Sequence, residues 1–347
     1  MLGVKHQYIE RESLAVRTER LYGDRFLRWA YQTPWEDAAW FCRILTSPRT
    51  SHALSLFNYD IPFMGALAGV HRFVRSLGVD LTECLDAPSR LNTPRKLFER
   101  KLRYWEVRPM DESCSAIVSP CDARMLIGSF DETSSLFVKR KFFEFDELFG
   151  MRRTWCADLE GGDFAIFRLT PDKYHYNHFP VSGVVIDRYE IRGRYHACNP
   201  SAVVVASPYA KNTRVVTILD TDVAEGSQVG LVAMIEIVAL MIGRIDQCYS
   251  ESRYDRPRDI SNGMFVRKGQ PKSLYRPGSS TTVAVFQPGR VSFCDDLVRN
   301  LSRPGVTSRF SEGLGRALVE TDVKIRSTIG YGRQARHEPS AGYDDGQ

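Results

Sequence analysis

Apolar and polar positions follow two different periods along this chain. Over residues 11–105 apolar residues recur at helical spacing, in Leu21–Tyr31, Pro34–Leu45 and Leu91–Leu102. Phe63–Val70 is an apolar patch followed by His71, Arg72 and Arg75. That pattern fits a core-facing helix and would also suit contact with lipid headgroups. From Ala116 to Phe286 the period shortens. Short β-rich runs alternate with Gly, Pro and Asn turns: Phe164–Leu169, Gly183–Ile186, Ala202–Ala206, Arg214–Leu219 and Val229–Val238. Phe137–Glu144 reads as a strand leading into a short helix, Asp146–Phe149. The predicted fold class is α+β: a mostly helical N-terminal region, 1–105, packed on a single β-rich core, 106–300. A C-terminal extension, 301–347, ends in a polar stretch too rich in Gly and charge to fold.

The longest apolar run, Val229 to Gly243, is interrupted by Glu236 and is too short to span a bilayer. Its β-branched content predicts two buried strands. The net charge of +5 is spread along the chain, which reads as a solvated surface and would also favour anionic lipid. Eight cysteines contain no Cys-x-x-Cys pair, and the charged first twenty residues lack the apolar core of a signal peptide. These features point to reduced thiols in a cytoplasmic protein that would meet a membrane only peripherally. No internal repeat or phosphate-binding Gly loop is present, and nothing points to nucleic acid.

Three segments carry candidate chemistry. Arg276-Pro277-Gly278-Ser279-Ser280-Thr281-Thr282-Val283-Ala284-Val285-Phe286 runs from a Gly-Ser turn into an alternating β-branched strand. Its ordinary reading is a hairpin corner; its chemical reading is a hydroxyl placed to attack its own backbone. Asp172-Lys173-Tyr174-His175-Tyr176-Asn177-His178-Phe179-Pro180 sets two histidines three residues apart. One could be a stacked core residue and the other exposed, or both could shuttle protons. A metal is disfavoured, because only Asp172 stands near to complete a ligand set. Ser119-Pro120-Cys121-Asp122 is a turn whose aspartate could cap it or orient an imidazole. The order Asp…His…Ser is that of a possible triad.

Together with further motifs, these segments resemble the phosphatidylserine decarboxylase family. The likeness starts near Thr93-Pro94-Arg95-Lys96-Leu97-Phe98-Glu99-Arg100-Lys101-Leu102-Arg103 and Val107-Arg108-Pro109. It continues through Ser119-Pro120-Cys121-Asp122, Tyr174-His175-Tyr176-Asn177-His178-Phe179-Pro180, Gly193–Pro200, Asn212–Val216, Ala239–Ile245, Lys268-Gly269-Gln270 and the Gly-Ser-Ser-Thr strand. It spans roughly residues 90 to 295. The chain departs from the family where Ser279 replaces the Gly of Gly-Ser-Thr, where Ala123 follows Asp122, and where Val238 precedes Ala239. Counting back along the strand from Phe286 puts Ser280 at the nucleophile position, with Ser279 as the alternative.

The resemblance implies a proenzyme that cleaves itself before Ser280 and keeps the serine remnant as a covalent pyruvoyl group, with no external cofactor or metal. His178, oriented by Asp122, would deprotonate Ser280, and His175 would serve decarboxylation. The large and small chains would stay associated, in a possible homodimer, on a phospholipid or a soluble amino acid as substrate. An uncleaved, inactive scaffold relative is the remaining alternative.

Overall fold

The computed structural model describes residues 5–19, 78–138, 142–150, 153–196, 198, 200, 203, 208–239, 244–277, 280–312 and 316–333. The strands in chain order are β1 Gln7–Glu10, β2 Val16–Thr18, β3 Ala116–Val118, β4 Ala123–Ser129, β5 Asp163–Leu169, β6 Tyr176–His178, β7 Gly183–Ile191 and β8 Arg214–Asp220. They continue as β9 Leu231–Val238, β10 Ile245–Gln247, β11 Phe265–Val266, β12 Pro271–Tyr275, β13 Ser280–Phe286, β14 Val291–Phe293, β15 Glu320–Val323 and β16 Thr328–Gly332. Short helices include α1 Pro94–Phe98 and α2 Tyr104–Val107.

Among the described residues the strands form a ten-stranded sheet, β11-β7-β8-β9-β13-β5-β4-β15-β1-β2, and two three-stranded sheets, β10-β12-β6 and β14-β16-β3. Neighbours run antiparallel except β1 and β15. The fold is α+β and dominated by its sheets, with no βαβ unit among the described residues. β13 lies between β9 and β5, and all seven of its residues are buried. Covered on both faces, it reads as an unbroken β-branched and apolar run. β12, ending at Tyr275, belongs to the small sheet and β13, starting at Ser280, to the large one, so the chain passes from one sheet to the other between these strands.

The structure differs from the sequence pattern in several places. Within 1–105 the described part includes two strands, β1 and β2, while Leu21–Tyr31, Pro34–Leu45 and Phe63–Val70 lie outside the described residues. The helix expected over Leu91–Leu102 is only α1, and past its end the Arg100 guanidinium satisfies the Leu97 carbonyl at 3.0 Å. Residues beyond 300 are not an appendage to the core: β15 inserts between β4 and β1. Its polar residues are paid for by ion pairs, with Glu320 2.6 Å from Arg168 and 2.7 Å from His6. Of the run Val229–Gly243, Leu231–Val238 forms one strand and residues 240–243 lie outside the described residues, as does the polar end from 334. The short helix near Asp146 forms as Phe145–Phe149, beside an aromatic cavity of about 230 Å³ lined by Phe130, Phe143 and Phe164. Phe164 pairs with Val285, so this cavity sits at the end of β13 remote from Ser280.

Candidate active site

Ser280 opens β13 where the chain enters the large sheet, and it is buried. Its hydroxyl lies 3.5 Å from His175 Nδ1. His175 immediately precedes β6, and its carbonyl accepts from Tyr275 N at 3.0 Å, which fastens the histidine to the end of β12. Phe98 stacks on the imidazole with centroids 3.5 Å apart and planes 14° from parallel. Phe98 ends α1, whose start is set by Pro94 at its first turn and by the Thr93 hydroxyl accepting from Lys96 N at 3.2 Å. Burial, aided by the charge of Arg100, pushes the His175 pKa well below the usual histidine range. The ring beside Ser280 is therefore neutral, and its Nε2 is buried with no hydrogen-bond partner among the described residues.

His178 closes β6. Its backbone N donates to Pro120 O at 2.7 Å, joining it to the Ser119–Asp122 turn. Both ring nitrogens are engaged, Nδ1 with Gly269 O at 2.9 Å and Nε2 with the Tyr174 hydroxyl at 3.1 Å. Gly269 presents its carbonyl from a left-handed φ of 72°, and a Cβ there would run into Met110 Sδ. Burial holds the His178 pKa down at about 3; the bond to the Gly269 carbonyl pulls it up, the Arg326 charge lowers it, and the Asp122 charge adds the smallest upward pull. Asp122 accepts from Ile325 N at 2.7 Å and faces Arg108 at 3.4 Å. Arg108 in turn grips Glu83 through two bonds of 2.7 Å. The hydrogen bonds thus differ from the expected order: the imidazole at Ser280 is His175, and Asp122 acts on His178 through charge without a bond to it. An odd spacing along an extended segment turns successive rings to opposite sides, which separates the environments of residues 175 and 178. Ser279, the alternative nucleophile, lies outside the described residues.

A polar cluster behind Ser280 escaped the motif reading. Glu236 of β9 pairs in register with Thr282, two residues after Ser280. Its carboxylate meets Lys272 Nζ at 2.6 Å and Asn177 Nδ2 at 3.1 Å, and accepts from the Ser273 hydroxyl. Asn177 Oδ1 accepts from the Thr282 hydroxyl at 2.8 Å, so the residue between the histidines is tied to β13. The sequence carried one sign of this cluster, a lone glutamate inside an apolar run. Tyr174, Tyr104 and Tyr254, which enclose His178, gave no sign beyond the motif itself.

Asp172 lies 3.7 Å from Lys173 and joins neither histidine in a metal-ligand set. Among the described residues, His6, Glu19 and Glu320 are close enough to share an ion, but the Arg168 guanidinium already bonds both carboxylates. That arrangement is an ion-pair cluster.

Comparison with known proteins shows which chains this one is similar to. The chain is 27% identical over 310 residues to the phosphatidylserine decarboxylase proenzyme of Fusobacterium nucleatum, covering 85% of this chain and 92% of that one. It is 30% identical over 291 residues to the proenzyme of that name from Anaeromyxobacter sp., covering 79% of this chain and 96% of the relative. The corresponding Clostridium perfringens protein is 25% identical over 323 residues, covering 92% and 98%. A model of the family described as phosphatidylserine decarboxylase matches residues 95–316, which hold Asp122, both histidines and Ser280. With more than half of its length inside that match, the chain belongs to the phosphatidylserine decarboxylase family.

Proposed function

We propose that the chain is a self-cleaving proenzyme that decarboxylates phosphatidylserine, with Ser280 as the source of a covalent pyruvoyl group. The observation that carries this reading is the buried Ser280 hydroxyl 3.5 Å from His175, at the head of a central strand in a chain of this family. The surroundings fit such a group. They are buried, and they hold a neutral imidazole whose Nε2 has no partner among the described residues. A buried polar atom left unpaired is uncommon and calls for an explanation. A pyruvoyl group at this position would supply the electron sink for loss of CO2.

The chain's own residues provide the rest. Self-cleavage needs a proton taken from Ser280 Oγ as that oxygen attacks the carbonyl carbon of residue 279 and converts the amide to an ester. We assign this step to His178, with Asp122 as the charge that favours its protonated ring. The Gly269 carbonyl fixes the proton on Nδ1 and leaves Nε2 as the basic nitrogen. Nε2 is held by Tyr174 in the uncleaved chain, so the serine hydroxyl must displace that contact. His175, adjacent to residue 280, is assigned to proton handling on the substrate. The 3.5 Å contact favours one second reading, in which His175 is also the base for cleavage.

After cleavage the small chain would stay in place. β13 is bonded to strands on both sides, and Tyr275 OH donates across the cut to Thr281 O at 2.8 Å. The names of the relatives support phosphatidylserine as substrate. The net charge of +5 supports peripheral contact with anionic membrane from the cytoplasmic side. No helix of the described residues is long and apolar enough to cross a membrane.

The test is to assay cleavage and CO2 release separately in His175→Ala and His178→Ala, with phosphatidylserine and free amino acids as substrates. The assignment expects His178→Ala to remain uncleaved, and His175→Ala to cleave yet release little CO2. An uncleaved His175→Ala beside a cleaved His178→Ala would favour the second reading. CO2 from free amino acids alone would refute the lipid substrate.

A further inference from the structure

We propose that Tyr174 and Tyr254 form a two-hydroxyl relay that supports His178 in both of its protonation states by reversing the direction of its hydrogen bonds. The inference rests on the assignment of His178 as the base in self-cleavage and assigns it two positioning residues.

The argument is a proton count. The Tyr174 hydroxyl contacts His178 Nε2 at 3.1 Å and the Tyr254 hydroxyl at 2.7 Å. The Tyr254 hydroxyl lies 2.9 Å from Leu102 O and 3.0 Å from Leu102 N. Each phenol has one proton to give and two lone pairs to receive. Gly269 O can only accept, so His178 Nδ1 carries a proton. In the neutral ring Nε2 is a bare lone pair. Tyr174 must then donate to it, and Tyr254 donates to Tyr174. When Nε2 gains a proton it becomes a donor, and every bond in the line must turn round. Tyr174 then accepts from Nε2 and donates to Tyr254, and Tyr254 donates to Leu102 O. Each hydroxyl keeps its own proton and only rotates, so the Tyr174–Nε2 contact that the serine hydroxyl displaces re-forms in the opposite sense once Nε2 carries the proton. In both directions Leu102 N donates to Tyr254.

Three features suit the line to this work. The Leu102 carbonyl gives it a terminus that can only accept, without which the reversed line would end on an unpaired proton. Burial pushes the pKa of both phenols upward, so each remains a neutral donor at neutral pH. The rings are held by one another: Tyr104 meets His178 edge-on at 4.6 Å, Tyr174 stacks on Tyr176 at 5.3 Å, and Tyr176 meets Tyr254 at 5.2 Å. A simple structural bolt would explain the Leu102 bonds. It would not explain why the hydroxyl touching Nε2 continues into a second hydroxyl.

The experiment is a double-mutant cycle on the rate of self-cleavage of the full chain, using Tyr174→Phe, Tyr254→Phe and the double variant. Tyr254→Phe strands the Tyr174 proton on Nε2, and cleavage should slow at least about tenfold, the worth of one hydrogen bond to a charged group. In the Tyr174→Phe background the same change should alter the rate less than about twofold, because Tyr254 acts only through Tyr174. Equal effects in both backgrounds, or a parental rate in Tyr254→Phe, would overturn the relay. A second measurement does not depend on the folding of the tyrosine variants or on cleavage. In Ser280→Ala protein labelled with ¹⁵N-histidine, His178 should be the Nδ1–H tautomer at neutral pH. An Nε2–H tautomer would overturn the relay. A parent chain that never cleaves would instead defeat the proenzyme reading, and the tautomer would still decide the relay.

Discussion

Replacing Lys272 with Met should be among the most damaging single changes outside the catalytic residues. Lys272 and Glu236 are both completely buried, with Nζ 2.6 Å from one carboxylate oxygen. The pair joins β12 of the small sheet to β9 of the large sheet, next to the crossing that ends at Ser280. Burial lowers the Lys272 pKa despite the adjacent carboxylate, so desolvation has cost the pair much of its attraction. The net worth of the intact pair is therefore small, but the cost of breaking it is not. Without the lysine, Glu236 keeps only neutral donors: Asn177 at 3.1 Å, Gln247 at 3.0 Å and the Ser273 hydroxyl. A stranded buried charge costs about 3–5 kcal/mol, against about 0–1 kcal/mol for an exposed pair. In a chain of 347 residues that is a fall in Tm of roughly 4–7 °C. Urea and thermal unfolding in a Ser280→Ala background, where one uncleaved species is present, would measure it. Adding Glu236→Gln removes the charge and keeps the acceptor, and should recover most of the loss. A Lys272→Met cost below about 1 kcal/mol, or a double variant no more stable than the single, would refute this reasoning.

Three further outcomes are expected. His178 has a folded pKa of about 3 and an unfolded one near 6.5, so the unfolded chain binds the extra proton first as pH falls. Its contribution is then full above about pH 6.5 and declines toward pH 3, by about 2 kcal/mol between pH 7 and 5; in a pH series of urea melts His178→Phe should remove that share of the slope, while the share of His175, also held low by burial, remains. Phe98→Leu keeps apolar bulk but removes the stacked face from His175; CO2 release should drop roughly tenfold while stability changes by less than about 1.5 kcal/mol. Ser280→Ala should abolish cleavage and Ser279→Ala only slow it, as read on a denaturing gel; the reverse result would move the nucleophile by one residue.

What the sequence revealed and what it hid follow from the range of the interactions. β5, β8, β9 and β13 were legible because their own β-branched and apolar runs specify them. β15 was not, since Glu320 and Thr321 look exposed until Arg168, His6 and the neighbouring strands are brought to them from distant parts of the chain. The position of Ser280 at a strand start was readable from local turn chemistry. Which imidazole it would meet was not, because β6 and β13 belong to different sheets and their packing decides the contact. The partners of Asp122 likewise come from Arg108 and from Ile325, 203 residues away.

The most direct test of the central claim is the mass of the denatured protein. Two chains are expected, the smaller comprising residues 280–347 and lighter by one ammonia than the same fragment beginning with an intact serine. A single uncut chain in a preparation that releases CO2 from phosphatidylserine would contradict it.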